Sequence, residues 1–190
     1  MAALTAPRNT WYERTRMGDT LRVPMSAGAT IYQGGMVCVN ADGYAVPAAD
    51  AADYKMVGVA CEDPQHAARS TYDNSAGGDG DMFVVVRCAG RFRFKYESPV
   101  LGAAIDQNMM MAWAHVQDDQ TLSVHPWDSA NDILAGYVVR LPGETLQFDP
   151  RADMDADEIE IELLGQPFWW EPDDVTTTTA EATTTTTAPQ

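Results

Sequence analysis

The residues most able to do chemistry, by type and spacing, are carboxylates near the C-terminal end of the sequence. Asp153, Asp155 and Asp157 alternate as the first ligands of an EF-hand calcium loop do. The sixth position of such a loop needs glycine for its sharp turn and is Glu158 here, while the twelfth needs a bidentate glutamate and is Leu164. The sequence therefore excludes an EF-hand and leaves two interpretations, a solvated acidic face and a divalent-cation site shared between subunits.

The other familiar catalytic signatures are missing from the sequence. The histidines His66, His115 and His125 are scattered, and none belongs to the HExxH pattern of a zinc protease. There is no GxSxG nucleophile elbow and no GxxxxGK phosphate loop, and the glycine-rich residues 77–81 open no predicted helix that could hold a phosphate. We therefore predict no enzyme, no cofactor and no metal. Glycoside hydrolysis by two carboxylates is the remaining enzymatic alternative, but no acidic pair has a recognisable context.

Aromatic and arginine side chains near the two ends of the chain are candidate binding residues. Such side chains on otherwise flexible segments are typical of interface hot spots. The candidates for contact with a partner or a neighbouring subunit are Arg8, Trp11, Tyr12, Arg14, Arg16, Phe168, Trp169 and Trp170. The C-terminal three either pin their segment to the body or anchor it in a neighbouring subunit, and both interpretations stay open.

Charge and cysteine content bound the class of partner. The 190 residues carry a formal net charge of −16, and 17 of the 28 acidic residues lie after residue 100. Nucleic-acid affinity comes largely from cationic contacts to phosphates, so we predict no nucleic-acid partner. No run approaches the ~20 apolar residues of a membrane helix, and the first residues lack the apolar segment of a signal peptide, so we expect no membrane partner.

Cys38, Cys61 and Cys88 show no CxxC spacing and are predicted to be buried free thiols.

Alternation of apolar and polar residues predicts that most of the chain is β-strand. In the clearest example a period of two places Phe92, Phe94 and Tyr96 on one face and charged residues on the other. Asp42-Gly43 is a strong hairpin signal between two short strands. The predicted elements are strands at 36–40, 44–47, 56–60, 82–86, 91–97, 111–116, 121–125, 134–141 and 145–148, and short helices at 48–54 and 99–105.

Many short strands at this spacing predict an all-β fold, with a small β-barrel or β-tulip-like body. The predicted organisation is an N-terminal arm at 1–16, the barrel at 17–148, an acidic segment with an aromatic anchor at 149–171 and a threonine-rich, low-complexity tail at 172–190. Residues 158–163 alternate acidic and aliphatic side chains. Because stacked carboxylates deter unwanted pairing, we predict an edge or lid strand there.

The sequence also carries a faint internal repeat. Residues 36–47 form a predicted hairpin that ends in proline, and a strand containing Gly58 follows. Residues 111–126 form a second hairpin that ends in proline, and a strand containing Gly136 follows. Two copies are too few for a solenoid, so we predict two similar β-units in one barrel.

A set of glycine-centred segments runs through residues 17–148. They are AGATI at 27–31, GGMV at 34–37, DGYAVPA at 42–48, VGVA at 57–60, GDMFVVV at 80–86, GRFRF at 90–94, LGA at 101–103 and ILAGYVV at 133–139. The pattern of an apolar strand, a short hairpin, a small-residue loop and a Gly-Val strand resembles the decoration, or cement, proteins that coat the heads of tailed bacteriophages. The acidic segment and the threonine tail depart from the pattern of that family.

This resemblance implies a structural virion protein, often trimeric, that is made in the host cytoplasm, binds the outer surface of the capsid and stabilises the expanded shell. Its partners would be the major capsid protein and other copies of the chain, as a homo-oligomer. On this hypothesis the N-terminal arm faces the shell. Arg8, Arg14 and Arg16 would pair with capsid carboxylates, and Trp11 and Tyr12 would fill pockets.

A virion surface adhesin that binds host glycans is the alternative. Aromatic residues beside carboxylates can stack on sugars, and two such groups occur in the sequence. One is Trp127 with Asp128, and the other is Trp169 and Trp170 with Glu171.

Overall fold

The computed structural model describes residues 3–6, 12–13, 20–63, 70–97, 107–125, 130–141, 154–155 and 157–164. Within these ranges the regular secondary structure is nearly all β-strand, with a single 3₁₀ turn at Gln107–Met109 and no α-helix, which confirms the all-β prediction. The strands are β1 (Tyr12–Glu13), β2 (Thr20–Pro24), β3 (Thr30–Tyr32), β4 (Met36–Val39), β5 (Ala45–Pro47), β6 (Lys55–Ala60), β7 (Thr71–Asp73), β8 (Phe83–Arg87), β9 (Ala89–Tyr96), β10 (Trp113–Val116), β11 (Thr121–Ser123), β12 (Leu134–Arg140) and β13 (Glu158–Leu164).

Five of these strands close into a barrel, as the sequence predicts. β9 pairs with β13, β13 with β12, β12 with β10 and β10 with β11, and β11 returns to β9. All the pairs are antiparallel except the last, which is parallel and sets Thr121 against Lys95 and Leu122 against Tyr96. Closure matters because a barrel leaves few backbone groups unpaired at strand edges.

The prediction that residues 158–163 form an edge or lid strand is wrong. β13 lies inside the barrel wall, paired with β9 along its whole length and with β12 on the other side. Its aliphatic face, Ile159, Ile161 and Leu163, is buried in the barrel. Its acidic residues do not repel pairing, because they lie opposite the basic residues of β9. The barrel therefore includes part of the segment that the sequence assigned to a separate acidic region.

A second, five-stranded sheet has the order β2-β8-β6-β4-β5. Its two outer strands meet through one parallel bridge between Met25 and Ala45, where the Ser26 amide donates to the Ala45 carbonyl at 3.0 Å. β3 and β7 form a separate antiparallel pair. This five-stranded sheet therefore also curves toward a barrel, but its outer strands meet only at the Met25–Ala45 bridge.

The two sheets have the same topology. Each strand of the five-stranded sheet has a counterpart in the barrel, with the same chain order and the same neighbours. The corresponding pairs are β2 and β9, β4 and β10, β5 and β11, β6 and β12, and β8 and β13. We refer to these five-strand sets as the first unit and the second unit. Both closures are parallel, and the Ser26 bond to Ala45 has its counterpart in the Glu97 amide, which donates to the Leu122 carbonyl at 3.0 Å.

The agreement extends to single residues. A β-bulge in β6 shifts its pairing with β4 between Val37 and Cys38, and a β-bulge in β12 shifts its pairing with β10 between Ala114 and His115. The glycines of the sequence repeat pair with the residues before these bulges, Gly58 with Val37 and Gly136 with Ala114. The predicted repeat is confirmed, but its placement in one barrel is wrong, because each copy belongs to its own sheet.

Both glycines are required by a close approach of the next strand. A Cβ atom on Gly58 would lie 2.2 Å from the carbonyl oxygen of Arg87 in β8, and one on Gly136 would lie 2.2 Å from that of Glu162 in β13. Real Cβ atoms essentially never come so near a backbone oxygen. The glycines therefore let the strands pack tightly where the sheets curve.

The hydrophobic core falls into two clusters that follow the units. One lies in the first unit and includes Met25, Val84 and Val86. The other fills the barrel around Phe94 and Ile161 and also takes in apolar residues from the outer face of the first unit. The second cluster therefore joins the two units into one packed body.

Some predicted elements differ from the structure. Residues 48–54 are not helical but form turns, with Asp53 in a left-handed conformation at φ 63°. The strands β2, β3 and β7 were not among the predicted elements. The predicted helix at 99–105 and the predicted strand at 145–148 lie outside the described residues.

Candidate functional site

The binding residues predicted from the sequence lie mostly outside the described part of the chain. This holds for Arg8, Trp11, Arg14, Arg16, Phe168, Trp169 and Trp170. Tyr12 belongs to β1, whose backbone pairs with β9, Tyr12 opposite Phe92 and Glu13 opposite Arg91. Part of the predicted arm is thus a short strand paired with β9, on the same edge of β9 that β11 uses.

Most of the carboxylates on β13 are paired rather than free to act on a substrate. Glu162 lies 3.4 Å from the Nε of Arg91, and both side chains are partly exposed. At the end of the strand, Asp157 lies 4.0 Å from the Nζ of Lys95. The Glu162 contact matches the register of the two strands, which sets Glu162 opposite Arg91, whereas Lys95 lies opposite Glu158, the neighbour of Asp157.

A buried cluster of three charges occupies the middle of the same face. The Glu160 carboxylate lies 3.3 Å from the Nε of Arg93 and 4.0 Å from a terminal nitrogen of Arg140. At most 7% of any of these three side chains is exposed. Burial raises the pKa of Glu160, and the two guanidinium groups oppose that rise. Two buried cations around one carboxylate hold three strands together, and the contact leaves little room for a ligand.

The acidic triplet considered as a calcium loop does not assemble a metal site in the described residues. Asp155 and Asp157 are exposed, and the Asp155 carbonyl accepts a hydrogen bond from the Glu158 amide at 3.1 Å. Asp153 lies outside the described residues. Among the residues that the structure places, no three His, Cys, Asp or Glu side chains come together as metal ligands.

A serine, a histidine and an aspartate meet at the edge of the barrel and deserve a chemical test. His115 pairs with Ser123 across β10 and β11, and its Nδ1 lies 2.6 Å from a carboxylate oxygen of Asp132. These are the residue types of a hydrolase triad. Burial lowers the pKa of His115, and Asp132 opposes that effect. Ser123, however, is fully buried, and its hydroxyl oxygen accepts a hydrogen bond from the His125 amide, so it offers no nucleophile to a substrate.

The three thiols are free, as the sequence predicts. Cys38 and Cys88 are buried, and burial raises the pKa of Cys38 to about 12. Cys61 is only partly buried, and burial also raises its pKa. Because the thiolate is the reactive form, none of them has the environment of a catalytic cysteine.

The feature that sequence reasoning missed is an exposed apolar surface on the second unit. Trp113 exposes 51% of its surface, Met111 63% and Leu134 41%. Tyr137 pairs with Trp113 across β10 and β12, and the two rings pack edge to face at 6.3 Å. We call these four residues the Trp113 face. Its sequence signal was weak, because Trp113 lies in a predicted strand like any core residue.

The corresponding surface of the first unit is not exposed. Strand register places Met36 in the position of Trp113, Val59 in that of Tyr137 and Met56 in that of Leu134. Met36 and Val59 are at most 2% exposed and belong to the cluster that fills the second unit, with Met56 packed against it. We call these three residues the Met36 face.

The Met36 face meets the hairpin turn of the second unit. The Met36 amide donates to the Asp119 carbonyl at 2.8 Å, and the Asp50 amide donates to the Gln117 carbonyl at 3.3 Å. The Asp50 carboxylate in turn accepts from the amides of Ala130 at 2.6 Å and Asn131 at 2.9 Å. The polar side chains of this turn, Gln117, Asp118 and Asp119, are all buried.

No family model matches the chain, and neither the curated proteins nor the solved structures contain a significant match. No helix in the described residues is long and apolar enough to cross a membrane.

Proposed function

We propose that the chain is a structural virion protein that binds the outer surface of a tailed-phage capsid and stabilises the expanded shell. The observation that carries this proposal is the position of the resembling segments in the fold. In the described residues they include most of the β4–β5 hairpin, β6 and β12, and a Cβ atom on Gly58 or Gly136 would lie too close to the neighbouring backbone. The resemblance therefore rests on residues that build the fold.

The chemistry of the described residues also supports a binding role. The charges of β13 are engaged with β9 and β12, and the serine beside His115 is fully buried. A cement protein works by burying surface across joints between capsid subunits, and interfaces of standard size bury about 1,600 Å² each. Because it binds the expanded shell and not the free subunits, it stabilises that shell by mass action.

β1 supplies a way to hold the arm in position. Its pairing with β9 holds Tyr12 and Glu13, which lie between Arg8 and Arg14 in the sequence, against the barrel wall. We infer that the arginines and Trp11 act together with this strand, against carboxylates and pockets of the major capsid protein. Charge complementarity of this kind affects the encounter and the register more than the final affinity.

Co-sedimentation of the purified chain with expanded, undecorated shells tests the proposal. We expect saturable binding to shells and none to free capsid subunits. Deletion of residues 1–16 should abolish binding, and reversal of the three arm charges (Arg8→Glu, Arg14→Glu, Arg16→Glu) should weaken it at low salt, while far-UV circular dichroism stays that of a β-protein. Failure of the intact chain to bind shells would refute the proposal and favour the glycan adhesin, which a glycan array would then test.

A further inference from the structure

The two units of the chain touch through surfaces that are not equivalent. The Met36 amide of the first unit donates to the Asp119 carbonyl in the β10–β11 turn (residues 117–120) of the second, and the side chains of the Met36 face join the cluster that fills the barrel. Each unit also carries the counterpart of the other unit's contact surface, and this counterpart takes no part in the contact between the units. The second unit has the Trp113 face, and the first has the β4–β5 turn at residues 40–43.

The unused turn matches the used one in length and register. β4 and β5 pair Cys38 with Val46 and Val39 with Ala45, and β10 and β11 pair His115 with Ser123 and Val116 with Leu122. Each hairpin therefore has the same number of residues between its last paired positions. The turn of the second unit is largely buried, whereas Ala41, Asp42 and Gly43 in the first are exposed.

The unused face carries the large apolar side chains expected of an interface. At three equivalent positions the Met36 face has Met36, Val59 and Met56, and the Trp113 face has Trp113, Tyr137 and Leu134. A tryptophan or tyrosine can bury roughly 150–250 Å² on contact, and both residue types are enriched at the centres of interfaces. Exposed large apolar side chains grouped on one sheet face indicate a binding surface.

We propose that the Trp113 face of one copy binds the β4–β5 turn of a second copy, repeating between chains the contact that joins the two units within the chain. In the chain the Met36 amide donates to the carbonyl of Asp119. The same geometry between chains brings the Trp113 amide to the Asp42 carbonyl of the next copy. Each copy then offers one face and one turn, so the interface is head-to-tail.

A head-to-tail interface generates a closed ring when its rotation closes and an open filament when it does not. The contact belongs to the free chain, so it stands independently of the proposed binding to capsids and is tested without shells.

Three matched arginine substitutions test the contact. Trp113→Arg disrupts the face, and Ala41→Arg places a long cation on the turn where the equivalent Asp118 is short and buried. Phe83→Arg is the control, since Phe83 is 44% exposed on β8 and belongs to neither surface. Every substitution adds the same positive charge to a chain of net charge −16, so none increases the repulsion between copies.

Mass photometry and sedimentation velocity of the full chain provide the measurement. We expect wild type and Phe83→Arg to assemble, and Trp113→Arg and Ala41→Arg to remain monomeric with unchanged circular dichroism. A mixture of the two monomeric variants should form dimers and nothing larger, because each supplies the half that the other lacks. Assembly of wild type should strengthen with salt, which screens the repulsion between acidic copies.

Several results would overturn the proposal. A monomeric wild type would do so, as would assembly of Trp113→Arg. If Ala41→Arg assembled while Trp113→Arg did not, the contact would be face to face and not head-to-tail. A monomeric wild type that bound glycans through Trp113 would assign the face to sugars instead.

Discussion

The repeat makes a paired prediction about Gly58 and Gly136. In either place an alanine Cβ would lie 2.2 Å from a carbonyl oxygen, whereas a carbon normally stays about 3.3 Å or more from such an oxygen. The strands must separate by roughly 1 Å, which stretches the neighbouring ladder bonds beyond hydrogen-bonding distance. Overpacking costs about 1–3 kcal/mol and each lost ladder bond about 1 kcal/mol. The reduced entropy of the unfolded chain returns about 0.4–1 kcal/mol. With two ladder bonds lost, we expect a net loss of about 2–5 kcal/mol for Gly58→Ala and for Gly136→Ala alike.

Urea denaturation followed by far-UV circular dichroism measures this loss. With a slope of about 2 kcal/mol per molar urea, the midpoint should fall by roughly 1–2.5 M for each variant. Gly78→Ala is the matched control, because the nearest atom to its Cβ is a carboxylate oxygen of Asp81 at 3.4 Å, an ordinary contact, and its midpoint should move little. Equal stability of Gly136→Ala and Gly78→Ala, or a large loss at only one of the two repeat glycines, would refute the equivalence of the units.

Three further outcomes are expected. Met111 has a left-handed backbone at φ 64°, which costs a non-glycine residue about 1–2 kcal/mol, so Met111→Gly should raise the unfolding free energy by up to about 1 kcal/mol in the same urea experiment. Glu160→Leu leaves two buried guanidinium groups without their shared carboxylate and should lower the unfolding free energy by about 3–5 kcal/mol. Glu162→Leu, in a partly exposed pair, should lower it by less than about 1 kcal/mol. Equal losses for the two variants would contradict the burial argument. A thiol-reactive disulfide reagent should modify Cys61 in the native protein well before the buried Cys38, whose pKa is raised to about 12, and should modify both at one rate after denaturation.

The sequence predicts those strands in which apolar and polar side chains alternate with a period of two residues. Phe92, Phe94 and Tyr96 alternate with charged residues, and they do line the barrel. The repeat is also visible, because Gly58 and Gly136 follow similar hairpins. What a period cannot give is the partner of a strand, so the acidic strand β13 was mistaken for an edge. Its cations lie on β9, more than sixty residues earlier in the chain.

The Trp113 face shows the same limit for a binding surface. The sequence marks Trp113 as an apolar residue in a strand, and nothing local distinguishes it from Met36 at the equivalent position. Their difference arises from the packing of the two units, which covers one face and leaves the other exposed. The arm and tail residues that looked like anchors attracted attention because they stand out from a polar background, whereas Trp113 does not.

β13 comes last along the chain among the strands of the barrel, and this has a consequence for synthesis of the protein. The first unit contains all its strands by residue 87, but the second gains the strand between β9 and β12 only when residues 158–164 have been made. Until then two long neighbouring strands expose unpaired backbone on the ribosome-bound chain, and such edges are templates for aggregation. A messenger RNA truncated before the codons for residues 158–164 would therefore yield an aggregation-prone chain. Chaperones would be needed most between the synthesis of β9 and the synthesis of β13.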